Sequence, residues 1–170
     1  MASRKKLSRI IAGKRAKRSG EAWERMIIES AERCSVAITK IPSGARWVGL
    51  GRFVPVRSPF DFIATMPWGS TILFDAKRLG ASSVSFDATQ GKSSSHQLDT
   101  MSQHERNGAI CGFLIFSERF NRAVFLRASD AVSGRIRLDD SRLLDLGEPR
   151  KMDWRRFGDG CIDDSTNNQH

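Results

Sequence analysis

Apolar and polar positions along the chain follow two different periods, and the switches between them outline the elements. Over residues 20–34, Trp23, Met26, Ile27, Ser30, Ala31 and Cys34 recur at i, i+3, i+4, i+7, i+8 and i+11, the stripe of a helix with one buried face. Ser19 stands where the N-cap of that helix belongs. Residues 36–41 are short, apolar and β-branched and read as a strand, ended by the turn signal Pro42-Ser43-Gly44. Residues 46–56 carry Gly49 and Gly51 and are expected to form a short hairpin or protruding arm. Residues 60–66 and 71–79 predict two strands joined through Pro67-Trp68-Gly69-Ser70. The Ser- and Gly-rich stretch 80–93 reads as a mobile loop. A helix follows over 94–106, closed by Asn107-Gly108, a pair that favours a left-handed cap. Residues 109–116 form a buried strand, with 122–127 as its partner across 118–121. The predicted order is α-β-β-β-β-α-β-β, an α/β protein with a central sheet flanked by helices. Beyond Ser129 the pattern is weak and assigns no element.

The length of 170 residues favours one domain, at about 150 residues per domain. Apolar residues at 39% and charged residues at 28% are an ordinary globular balance that can build a core. Charge changes the picture more. Lys and Arg number 28 against 19 Asp and Glu, a net +9, which points to a polyanionic partner: nucleic acid or an acidic membrane surface. The excess is concentrated in residues 1–18, where Arg4, Lys5, Lys6, Arg9, Lys14, Arg15, Lys17 and Arg18 stand without a single acid. Such a block reads as a disordered DNA-binding arm, and it lacks the apolar face of a membrane-surface helix. The folded body is then 19–157, and 158–170 a flexible acidic and polar tail. No run approaches the ~20 apolar residues of a membrane span, and no apolar segment of a secretory signal follows the basic start. Cys34, Cys111 and Cys161 are too scattered for a disulfide framework or a zinc site and suit a reducing cytoplasm.

The residue types that carry chemistry cluster in the two middle strands. Residues i and i+2 of a strand share a face, so Asp75 and Lys77 point one way while Phe74 and Ala76 point into the core. Asp61 lies between Phe60 and Phe62 on the hairpin partner. Two carboxylates converging there suit a hard, oxygen-seeking cation such as Mg²⁺, with Lys77 beside them to steady a water or a phosphate charge. The bland alternative is a cross-strand ion pair of Lys77 with Asp61 or Asp75. Glu24 falls about 100° round the helical wheel from Trp23, at the border of the buried stripe, and is aimed at the sheet edge unless it forms a rim ion pair. Gln97 sits just inside the second helix, where Ser94-x-x-Gln97 also fits a capping box.

In chain order the set is Glu24 on a helix, Asp61 on a strand, Asp75-x-Lys77 on the next, then Gln97 on a helix. This is similar to the PD-(D/E)xK nuclease core, and more closely it resembles the RecU-type Holliday-junction resolvases of bacteria and their phages. The resemblance rests on Gly20-Glu21-Ala22-Trp23-Glu24, Lys40-Ile41-Pro42-Ser43, Ser58-Pro59-Phe60-Asp61-Phe62, Phe74-Asp75-Ala76-Lys77, His96-Gln97 with Met101, and Gly112-Phe113-Leu114-Ile115-Phe116, covering residues 20–127 in order. It implies a restriction-endonuclease-like core with a central mixed sheet and a protruding stalk at about 43–57. It implies a homodimeric, Mg²⁺-dependent endonuclease, with Mn²⁺ as the other candidate ion, cutting four-way DNA junctions at symmetric positions. Such an enzyme works in recombination and repair in the cytoplasm, at the nucleoid of a bacterium or phage-infected cell. Asp61 and Asp75 are expected to bind the metal, Gln97 to support it, Lys77 to assist the attacking water, and Glu24 to complete the acidic pocket. Arg46, Trp47 and Arg52 fall in the stalk and join the basic arm as candidate DNA contacts. Three departures stand out: Asp75 where the family usually has Glu, Pro59 in place of a Thr, and a shorter stalk segment. The same residues also fit a nuclease acting on other branched, single-stranded or duplex DNA, or a catalytically silent DNA-binding protein of the same fold.

Overall fold

The computed structural model describes the backbone of residues 2–42, 44–47, 53–56, 58–80, 83–86, 92–131 and 134–159, and side chains from Arg18 onward over most of these. A long helix, α1 (Ala2–Arg33), leads into β1 (Ala37–Lys40), and a hairpin of β2 (Gly44–Trp47) and β3 (Phe53–Val56) follows. The chain continues through β4 (Phe62–Thr65), β5 (Thr71–Leu79), β6 (Ser83–Phe86), α2 (Lys92–Arg106), β7 (Ile110–Ser117) and β8 (Arg122–Arg127). It ends in β9 (Gly134–Arg137), β10 (Leu144–Gly147) and the short α3 (Arg156–Asp159).

Six of the strands form one mixed sheet in the order β1-β4-β5-β7-β8-β10. Only β5 and β7 run parallel, as a strand pair joined by a helical crossover must; the other neighbours are antiparallel. Alternation along the strands divides the core. Phe62, Ile72, Phe74, Leu114 and Phe125 bury against the α1 face with Trp23, Ile27 and Ala31, whereas Leu73, Phe113, Ile115 and Leu126 bury against the α2 face with Phe60 and Met101. β7 is buried along its whole length, as a central strand covered on both faces should be. Gly112 allows β7 and β8 to close up, since a Cβ there would lie 2.1 Å from the Leu126 carbonyl oxygen. Helix α2 ends as its sequence predicts: Gly108 has φ +89°, and the N–H groups of Gly108 and Ala109 return to the carbonyls of Glu105 and His104.

Three expectations are corrected. The basic stretch expected as an arm over 1–18 is drawn into α1, which begins at Ala2, and Ser19 lies inside the helix rather than capping it. The stretch contains Ala, Leu, Lys and Arg without a proline, residues with good helix propensity, and Gly13 and Gly20 each cost only about 1 kcal/mol. The loop expected over 80–93 contains β6, which pairs antiparallel with β9 across some fifty residues of sequence. The region beyond Ser129, left without elements, supplies β9, the sheet-edge strand β10 and core residues Leu146, Met152, Trp154 and Phe157. Trp154 anchors it to α1 by donating its indole N–H to Ser30 Oγ at 3.1 Å. The tail expected from 158 keeps Gly158 and Asp159 within α3; residues 160–170 lie outside the described residues. Among the described residues no helix is long and apolar enough to cross a membrane.

Candidate active site

Asp75 and Lys77 occupy alternate positions of β5 on the α2 face, as the strand period requires. Lys77 Nζ meets Asp75 Oδ2 at 2.5 Å and lies 5.1 Å from the centroid of the Phe113 ring, the residue opposite Asp75 on β7. Asp61 sits one residue before β4, held in the ladder by its N–H to the Phe74 carbonyl (2.9 Å) and its own carbonyl to the Ile41 N–H (2.7 Å). Its Oδ2 accepts the N–H of Ala76, the residue between Asp75 and Lys77, at 2.9 Å, which places the carboxylate beside Asp75.

The electrostatics of this cleft are unbalanced. Burial, the Asp75 charge and, more distantly, the Glu24 charge push the Asp61 carboxyl up from its ordinary value to about 6, against the lowering effect of the Ala76 N–H. Lys77 is bonded to Asp75 and leaves the Asp61 carboxylate to the Ala76 N–H. A hard cation would relieve the repulsion, and Asp61 with Asp75 supplies the oxygen donors such an ion takes. Among the described residues no set of three His, Cys, Asp or Glu side chains closes into a metal cage. Two carboxylates nevertheless fit Mg²⁺, which keeps several waters and is commonly held by one or two carboxylates plus substrate phosphate.

The other expected site residues take different places. Glu24 is half-buried at the rim of α1, as its wheel position predicts, and its direct partner is Lys40 at the end of β1, with Nζ to Oε2 at 2.5 Å. Gln97 does not cap its helix; its Nε2 donates to the Pro59 carbonyl at 2.8 Å and so ties α2 to the segment that carries Asp61. Ser58, the neighbour of Pro59, turns its Oγ back to accept the Phe60 N–H at 3.2 Å. Arg4, Lys5, Lys6, Arg9, Lys14, Arg15 and Lys17 lie on the first half of α1, and Arg18 is exposed where that half joins the body. Arg46 and Trp47 lie on β2; Arg52 is outside the described residues. Two contacts were missed. Lys40 as the Glu24 partner had a signal in its polar position at a strand end, whereas Phe113 beneath Lys77 needs the β5–β7 register to be known.

Among solved structures, the chain is similar to the Holliday junction resolvase Hjc of the archaeal hyperthermophile Archaeoglobus fulgidus, with a TM-score of 0.52 and 13% sequence identity over 74% of this chain and 95% of that one. The fold is that of the restriction-endonuclease-like nucleases. At 13% identity the likeness is one of fold and does not single out the RecU-type branch. No protein-family profile matches the chain, and no curated protein matches it.

Proposed function

We propose that the chain is a homodimeric, Mg²⁺-dependent endonuclease that resolves four-way DNA junctions by paired symmetric nicks in recombination and repair. The observation that carries this reading is the convergence of Asp61 with Asp75-x-Lys77 in a nuclease fold shared with a junction resolvase. Asp61 and Asp75 hold the ion, with Mn²⁺ as an alternative. When bound, the metal activates water and neutralises charge on the scissile phosphate. Lys77, kept in place by Asp75 and by the Phe113 ring, donates to the attacking water or to a phosphate oxygen whose charge grows in the transition state. Gln97 acts as a positioning residue through Pro59, and Glu24 adds to the negative field at Asp61. The cations of the first half of α1, with Arg46, Trp47 and Arg52, bind DNA and supply affinity rather than the choice of branch point. Cutting two strands symmetrically requires two active sites, hence two copies.

A second reading, a nuclease acting on other branched, single-stranded or duplex DNA, draws on the β2–β3 hairpin, whose strands have four residues each and make a short stalk. A strand-labelled four-way junction and a matching linear duplex, each incubated with the protein in Mg²⁺, separate the two. Nicks at symmetric positions in two opposing strands of the junction, with the duplex intact, support junction resolution. Equal cutting of the duplex moves the assignment to the second reading, and binding without cutting of either removes both in favour of a silent DNA-binding protein.

A further inference from the structure

Away from the acidic cleft, a cavity of about 230 Å³ opens where β7 and β10 begin and β8 ends. Ile110 on its wall pairs with Ile72, three residues before Asp75, and belongs to the core on the α1 face. The cavity is therefore on the opposite face of the sheet from Asp75 and Lys77, and toward the other end of those strands. Arg127, Arg142 and Arg156 line it together with Ser141, over an apolar floor that includes Leu144 and Phe157, and no carboxylate is among its lining residues. Arg142 and Arg156 are oriented by groups outside the cavity. Asp140 holds Arg142 through two N–H···O bonds of 2.9 and 2.8 Å. Arg156 donates Nη1 to the Asp145 carbonyl at 2.6 Å and lies 4.0 Å from Asp153, while Arg127 feels the charge of Glu105.

Three guanidiniums over an apolar floor, two of them held by hydrogen bonds, fit a ligand with a multiply charged head and a flat body. Guanidinium forks match phosphate oxygens, and their planes stack on aromatic rings. The cavity is open to solvent on one side, and its volume of about 230 Å³, under the roughly 300–1,000 Å³ of drug-sized sites, suits a single nucleotide seated partly in the mouth. We propose that this cavity binds a single 5′-phosphorylated nucleotide, free or at the end of a DNA strand.

Calorimetric titration of the full-length protein in EDTA, where cutting is suppressed, tests this with dAMP, deoxyadenosine and inorganic phosphate at matched ionic strength. The expected result is saturable 1:1 binding of dAMP at least tenfold tighter than either fragment. Arg142→Ala with Arg156→Ala should weaken it tenfold or more, Ser141→Trp should block it by filling the mouth, and Asp75→Asn should leave it unchanged. Binding of dAMP no tighter than phosphate, or binding indifferent to both the arginine and the Ser141 variants, overturns the proposal. A dinucleotide with a 5′-phosphate that binds tighter than dAMP and than its 5′-hydroxyl form identifies a strand end as the source; dAMP binding as tightly identifies the free nucleotide. Because the cavity and the acidic cleft lie on different faces, loss of one activity is read independently of the other.

Discussion

Asp61 is held where its charge is least welcome: partly buried, accepting one backbone N–H, and facing Asp75. Its carboxyl titrates near 6 in the folded chain against 3.8 in the ordinary case. A raised folded-state value means that the group favours the native state at low pH and that this contribution is lost as pH rises through about 6. In EDTA the protein should therefore lose thermal stability from this group between about pH 4 and pH 6. Asp61→Asn should melt higher than the parent at pH 8, with the difference vanishing near pH 4, and Mg²⁺ should raise the melting temperature of the parent at pH 8 but not that of the variant. Thermal unfolding followed by circular dichroism across this range checks both; a variant that melts like the parent at every pH contradicts the raised carboxyl. The acid-x-Lys pattern and the flanking phenylalanines made this site legible, because strand alternation alone decides that Asp75 and Lys77 share a face. Neither the Ala76 N–H on Asp61 nor Phe113 beneath Lys77 was legible, since both depend on which strands become neighbours.

At the scale of elements, strands and helices with strong local periodicity formed where expected. β5 and β8 have their expected bounds, and the Trp23–Ile27–Ala31 stripe packs on the sheet. Elements whose stability comes from distant partners were missed. β6 is a four-residue segment, Ser83–Phe86, inside a Ser- and Gly-rich stretch and pairs with the distant β9, and Trp154 counts as a core residue only once it reaches Ser30 on α1. That C-terminal region locks the helix carrying Glu24 to the sheet. Trp154 is 1% exposed, packs near Phe74 and Phe157 with ring centroids 6.1 and 5.8 Å away, and satisfies its N–H on Ser30. Trp154→Ala should cost about 3–5 kcal/mol of stability. Denaturant unfolding measures it; a loss below 1 kcal/mol would mean that the region is an appendage.

Across the whole molecule, the net charge of +9 and its concentration at one end set the salt dependence that the proposed DNA binding should have. Each duplex phosphate neutralised adds about 0.9 to the slope of log affinity against log salt. Eight cations along the first half of α1 allow a slope of up to about 7 from that segment, and a chain lacking residues 1–18 should lose up to that much while retaining the cleft. An unchanged slope would assign phosphate contact to the body instead. The extension of α1 through these residues gives the cations a continuous helical backbone with the helix that bears Glu24. The most direct test of the central claim is single-turnover cleavage of a labelled four-way junction by the parent and by Asp75→Asn, in Mg²⁺ and in EDTA, with junction binding measured alongside in EDTA. The account predicts nicking by the parent in Mg²⁺ alone, a loss of about 10²-fold or more in Asp75→Asn, and equal binding by both proteins. Cleavage by the parent in EDTA, or by Asp75→Asn at the parental rate, would place the chemistry elsewhere.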